Sequence, residues 1–197
     1  MQLIIITGSP GCGKTTLAIK LKEILSCTVI SLNELVISKK FIIEYEEKRD
    51  TYITDFDKLE DYLINYIKET KKTKVEYLII EGHFADFLPN NLIDMAFVLR
   101  CHPDILIKRL EKRDYKKEKI IENIQAEILG NCVNYIREKK MSCPIFEIDV
   151  SELSIENLIK IVLDILENKV DLNNYKLGNI DWLDEFFNED RLNEFFK

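Results

Sequence analysis

The chain alternates between two hydrophobic periods. Residues 3–7 form an unbroken apolar, β-branched run, the pattern of a strand buried on both faces. Residues 16–25 then place Leu17, Leu21, Ile24 and Leu25 at helical spacing. The same alternation continues. Residues 27–31 predict a second strand, 32–40 a short helix, and 57–70 a helix with Leu59, Tyr62, Leu63, Tyr66 and Ile67 in one stripe. Residues 75–81 predict a third strand that is apolar until its final acid, and residues 96–99 a fourth. Pro103 opens a helix to residue 112, and a long helical segment over 116–139 is expected to bend near Gly130. Pro144 stops it, residues 145–149 alternate as a fifth strand, and Ser154 is placed to cap a helix over 155–167. Residues 41–52, charged and aromatic, read as irregular and mobile. Strands alternating with helices imply a parallel sheet covered on both faces. In such sheets ligands bind at the carboxyl ends of the strands.

The junction between the first strand and first helix carries the main chemistry. Gly8-Ser9-Pro10-Gly11-Cys12-Gly13-Lys14-Thr15 reads G-x-x-x-x-G-K-T, and a strand before it and a helix after it are the setting a phosphate-binding loop requires. Gly8, Gly11 and Gly13 allow the backbone to turn so that successive N–H groups converge on one anion. The N-terminus of the helix adds its positive end. Lys14 is expected to reach the β- and γ-phosphates, Thr15 to offer its hydroxyl to Mg²⁺, and Thr16 to make a further phosphate contact. Cys12 reads as a small filler, although a helix N-terminus can also lower a thiol pKa.

Glu81 ends the third strand, where a carboxylate can hold Mg²⁺ opposite Thr15, usually through water; pairing with a nearby lysine is the plainer alternative. His83, two residues on, is placed to orient a water or a phosphate. Arg109 and Arg113, four apart, share a helix face and suit the spread charge of a phosphoryl group in flight. Arg100, the third arginine of this set, reads either as a further group for phosphoryl charge or as an ordinary surface salt-bridge residue, and His102 and Pro103 as residues that start a helix.

Composition narrows the field. The chain has 197 residues, 46% hydrophobic and 32% charged, which suits one domain with a sizeable core. A net charge of −7 argues against general nucleic-acid binding. The five cysteines have no metal spacing and suggest reduced thiols in a cytoplasmic setting. No run approaches a membrane span, and the first strand begins at once, so no secretory signal is expected. The tail, residues 170–197, is acidic and aromatic. Trp182, Leu183, Phe186 and Phe187 would share a helix face that docks on its own domain or serves a partner protein.

Taken together, the loop from Gly8 to Thr16, the acid-x-His at Glu81 and His83, Phe97-Val98-Leu99-Arg100, residues 109–115 from Arg109 to Tyr115, and Asn123-Ile124-Gln125-Ala126-Glu127-Ile128 resemble adenylate kinase isoenzyme 6. That family comprises atypical adenylate kinases that are also described as ATPases in small-ribosomal-subunit maturation. The resemblance implies an α/β P-loop NTPase fold with a five-stranded parallel sheet, helices on both faces, and a short lid like that of nucleoside-monophosphate kinases. It implies one domain over 1–169, with a monophosphate-binding segment at 31–54 and a lid at 112–122, followed by the tail. Gly11, Cys12, Gly13, Lys14, Thr15, Thr16 and Arg113 would hold ATP; Thr15 and Glu81 would hold Mg²⁺; Lys14, Glu81, His83, Arg109 and Arg113 would be catalytic. The expected reaction is ATP + AMP to two ADP. The alternatives are an assembly factor whose main reaction is ATP hydrolysis, and a kinase for another monophosphate. A basic small-subunit ribosomal protein is the partner the resemblance implies; nucleic acid and membrane partners are not expected, and a monomer is. Cytoplasmic localisation is expected, with the nucleus added in a eukaryote. Three positions depart from the family pattern: Glu81 replaces the usual Asp, Ile37 stands where a basic residue is expected, and Asp114 where glycine is common.

Overall fold

The structure, a computed structural model, describes residues 1–47 and 51–196. Its centre is a sheet of five parallel strands. These are β1 (Gln2–Gly8), β2 (Cys27–Ser31), β5 (Tyr77–Glu81), β6 (Met95–Arg100) and β7 (Ile145–Asp149), ordered β2-β5-β1-β6-β7. The helices are α1 (Lys14–Ile24), α2 (Leu32–Lys39), α3 (Phe56–Thr70), α4 (Pro103–Glu111), α5 (Lys117–Ile128), α6 (Asn131–Glu138), α7 (Ile155–Leu166) and α8 (Trp182–Asn188).

The period of two in β1 sorts its side chains into two cores. Leu3 and Ile5 pack with Leu59, Leu63 and Ile67 of α3. Ile4 and Ile6 pack on the other face with Leu17 and Leu21 of α1, Leu106 of α4 and Val162 of α7. β1 is therefore apolar on both faces, and it lies in the middle of the sheet, so the loop that follows it opens at the centre of the carboxyl edge. Caps fix two of the helices that cover the sheet. Asp55 accepts from the Lys58 amide at 3.2 Å at the start of α3, and Ser154 from the Asn157 amide at 3.2 Å at the start of α7.

Three expectations are corrected. Residues 41–52 are not irregular: Ile42–Glu46 and Thr51–Thr54 pair as an antiparallel ribbon, β3 and β4, with Tyr45 against Tyr52 at 5.1 Å between ring centroids. Residues 48–50 of that span lie outside the described residues. Cross-strand aromatic and β-branched pairs supply the order that a charge-weighted reading missed. The segment 116–139 is two helices, because Gly130 takes a left-handed conformation (φ 64°) and serves as the cap of α6. In the tail, Trp182 and Phe186 are buried against the domain, but Phe187 is 68% exposed, so the four-residue apolar face is only half used.

Candidate active site

Strand β1 delivers the chain into the phosphate loop with no room to spare. Gly8 has φ 136°, and a Cβ there would overlap the Leu99 carbonyl oxygen on neighbouring β6. Only glycine satisfies both constraints. Gly13 caps α1 at φ 91°, a left-handed turn that leads the loop into the N-terminus of the helix.

Lys14 is 7% exposed, and its ammonium donates to the carbonyls of Gly8 (2.7 Å) and Ser9 (3.0 Å). The cation thus spans the loop and is held by its own main chain. The Thr15 hydroxyl donates to Glu81 Oε1 at 3.0 Å, so the end of β5 and the start of α1 meet at one point. Glu81 is 2% exposed, while Thr15 and Thr16 are exposed. A carboxylate and a hydroxyl side by side fit Mg²⁺, which binds through one or two protein oxygens and completes its shell with water and phosphate. No cluster of three or more His, Cys, Asp or Glu suited to a metal occurs among the described residues.

His83 is exposed beyond the strand end, with its ring edge-on to Phe84 at 4.7 Å. The surrounding chain limits hydration of the ring although it remains accessible to solvent; this, then the charges of Lys14 and Lys119, pulls its pKa down to about 4, so the ring is neutral at physiological pH. Cys12 is 1% exposed and packs in the core beneath the loop, and burial raises its thiol well above the ordinary range.

An open groove of about 360 Å³ continues from the loop, lined by Gly13, Thr16, Arg109, Arg113, Val150 and Leu158 among others. Arg109 donates from Nη2 to the carbonyls of Val150 (2.8 Å) and Ser151 (3.0 Å), which ties α4 to the segment after β7. Arg113 is exposed at the end of α4. Asp114, next to it, has φ 55°, which explains why glycine suits that position; aspartate is among the few residues that tolerate it.

Arg100 corrects the sequence reading most sharply. It is no surface residue: it is 2% exposed, with Nε on Glu127 Oε1 at 2.8 Å, Nη1 on Glu147 Oε1 at 2.6 Å and Nη2 on the Glu127 carbonyl at 2.9 Å. Glu127 entered the sequence reading only as one residue of the stretch 123–128, and neither it nor Glu147 was given a role there. Their only signal was position: an acid within an otherwise apolar helix turn, and an acid on the alternating strand β7. His102 does start α4, its Nδ1 accepting from the Asp104 amide at 3.3 Å, and it also faces Glu185 of α8 at 3.1 Å.

A phosphate loop at the centre of a parallel sheet, with a hydroxyl–carboxylate pair beside it and a groove alongside, defines a P-loop α/β protein of the nucleoside-monophosphate-kinase-like type. Comparison agrees. Residues 4–130 match the AAA_18 family, described as an AAA domain. The fold is shared with a deoxyadenosine kinase from M. mycoides solved with bound dATP (TM-score 0.52, 20% identity, 85% of this chain and 100% of that one). It is shared too with shikimate kinase from Bacteroides thetaiotaomicron (TM-score 0.50, 19% identity, 84% and 98%). A Methanocaldococcus jannaschii protein named "Putative adenylate kinase" is 38% identical over 93% of this chain and 94% of its own length. One of the same name from Archaeoglobus fulgidus is 33% identical over 100% and 99%. The chain belongs to this adenylate-kinase-like family. No helix among the described residues is long and apolar enough to cross a membrane.

Proposed function

We propose that this protein is a Mg²⁺-dependent kinase that transfers the γ-phosphoryl group of ATP to AMP. The observation that carries the reading is the contact of Thr15 with Glu81 at 3.0 Å beside the Lys14 ammonium. It puts a hydroxyl, a carboxylate and a cation within one loop's reach of a triphosphate. The names of the archaeal relatives support AMP as the acceptor.

In this reading the amides of Gly11 and Gly13, with the N-terminus of α1, hold the β- and α-phosphates, and Thr16 adds a hydroxyl. Lys14 leaves the carbonyls of Gly8 and Ser9 for the β- and γ-phosphates, exchanging neutral acceptors for anionic ones. Thr15 and Glu81 hold Mg²⁺, which when bound neutralises phosphate charge. The purine lies in the groove against Val150 and Leu158. Residues 112–122 form the lid that brings Arg113 over the phosphates and excludes water. Arg109 contributes charge from N–H groups other than the Nη2 bonds it gives Val150 and Ser151, and keeps the groove wall in place. Residues 31–54 receive the monophosphate. Catalysis is then positioning plus charge stabilisation, the usual division of labour in phosphoryl transfer.

ATP hydrolysis is the second reading: His83 lies two residues beyond Glu81, and its neutral ring, a weak base beside the Lys14 charge, can orient an attacking water by hydrogen bonding. A coupled assay separates the two. ADP formation that requires AMP and is suppressed in Lys14→Ala supports the kinase; ATP loss at the same rate with and without AMP refutes it in favour of hydrolysis.

A further inference from the structure

Ser9 occupies a variable position of the loop motif, yet it is 3% exposed and has three defined partners. Its carbonyl accepts from Lys14 Nζ at 3.0 Å and from the Cys12 amide at 3.2 Å. Its hydroxyl donates to Glu127 Oε2 at 2.5 Å, across 118 positions of sequence. Glu127 in turn uses Oε1 to accept from Arg100 Nε, from the Cys101 amide at 3.0 Å and from the Trp182 indole N–H at 3.3 Å. Arg100 continues to Glu147, whose Oε2 accepts from the Gly178 amide at 2.6 Å. The Ile180 carbonyl also accepts from Arg100 Nη1 at 3.5 Å, so the C-terminal segment meets at three points the buried network that also holds the first turn of the phosphate loop.

Resting on the nucleotide-binding reading above, we propose that Glu127 is a positioning residue for the phosphate loop, acting through Ser9, and that Trp182 of the C-terminal segment keeps Glu127 in place. A serine hydroxyl by itself rotates among acceptors. Locked on a buried carboxylate that is fixed from three other directions, it pins the backbone of the residue that carries one of Lys14's resting acceptors. The loop amides are then organised before the triphosphate arrives, so binding does not have to order them. A loop that samples other shapes binds more weakly by the fraction of time it spends in the competent one. The tail is thus part of the nucleotide site without touching the nucleotide.

A network that only stabilises the fold would alter unfolding but not ligand affinity at a temperature where all variants are folded. Ser9→Ala removes the loop contact and leaves the Arg100, Cys101 and Trp182 bonds to Glu127. Trp182→Phe keeps an aromatic ring and removes the N–H. Calorimetric titration with Mg²⁺ and a non-hydrolysable ATP analogue at 25 °C is expected to show about three- to tenfold weaker binding in Ser9→Ala, a fraction of what a charge-assisted bond contributes. A smaller change of the same sign is expected in Trp182→Phe. The double variant should match Ser9→Ala alone, since Trp182 acts through the same bond. In turnover, the KM for ATP should rise while that for AMP holds. If Ser9→Ala does not fold, Glu127→Gln tests the same link and should show the same weakening. Unchanged affinity in folded Ser9→Ala or Glu127→Gln, beside a wild type that binds, overturns the role of Glu127. Additive losses in the double variant overturn the link to Trp182. Absence of binding in the wild type instead sinks the nucleotide reading itself.

Discussion

Replacing Arg100 by methionine isolates the largest buried electrostatic feature of the fold. Methionine fills much of the space and carries no charge. The substitution deletes four contacts, to Glu127 Oε1, to Glu147 Oε1, to the Glu127 carbonyl and, at 3.5 Å, to the Ile180 carbonyl. It leaves two carboxylates, with side chains 2% and 0% exposed, without their cation. Glu127 keeps three donors, Ser9, Cys101 and Trp182, but Glu147 keeps the Gly178 amide. Breaking a buried pair from one side typically costs about 3–5 kcal/mol. Against a total of about 5–15 kcal/mol for a domain, that is a large share. With a urea dependence of about 2 kcal/mol per molar, the unfolding midpoint should fall by about 1.5–2.5 M. Adding Glu147→Met removes one of the stranded charges and should recover part of the loss. A loss under about 1 kcal/mol in Arg100→Met, or no recovery in the double variant, would refute the reasoning, because a solvated pair is worth no more than that.

Four further outcomes follow from local geometry. Gly8→Ala should destabilise by about 2–4 kcal/mol in urea titration, since it meets both a left-handed φ and the Leu99 carbonyl. Asp55→Ala should lower the urea midpoint by removing the cap of α3, without altering nucleotide affinity. Lys14→Ala should lower kcat/KM by at least about 2–3 kcal/mol of transition-state stabilisation in the AMP-dependent assay. His83 is pulled to a pKa of about 4 in the fold against about 6.5 unfolded, so between those values the unfolded chain binds more protons and stability rises with pH. His83→Asn should therefore flatten that part of the stability–pH curve from pH 4 to 6.5, as measured by urea midpoints.

The sheet was legible because β1, β5 and β6 are apolar on both faces, which leaves few other places for them than the centre of a covered parallel sheet. The loop was legible because its glycines and lysine are contiguous in sequence. The contact of Thr15 with Glu81 was legible too, because both lie at element ends on the same edge of that sheet. What stayed hidden is held by side chains far apart in the chain. Arg100, Glu127 and Glu147 each look like ordinary charges on a strand or helix, and only the packing of α5 against the β6–β7 edge shows that they share one interior. The β3–β4 ribbon was missed for a related reason: its pairing rests on aromatic contacts such as Tyr45 with Tyr52, while its charges signal a loop. Arg109 was given to the phosphates on helical spacing, guanidinium chemistry and the family resemblance, and the Val150 and Ser151 carbonyls that it also holds could not be read from the sequence.

The central claim is that the amides of Gly11 and Gly13, the Lys14 ammonium and the Thr15–Glu81 pair form one site for a magnesium-bound triphosphate. Equilibrium titration of the full chain with ATP, with and without Mg²⁺, tests it most directly. Saturable one-to-one binding that tightens with Mg²⁺ in the wild type, and loses that Mg²⁺ dependence in Glu81→Gln, is the result predicted. Binding that ignores Mg²⁺, or no binding at all by folded protein, would contradict it.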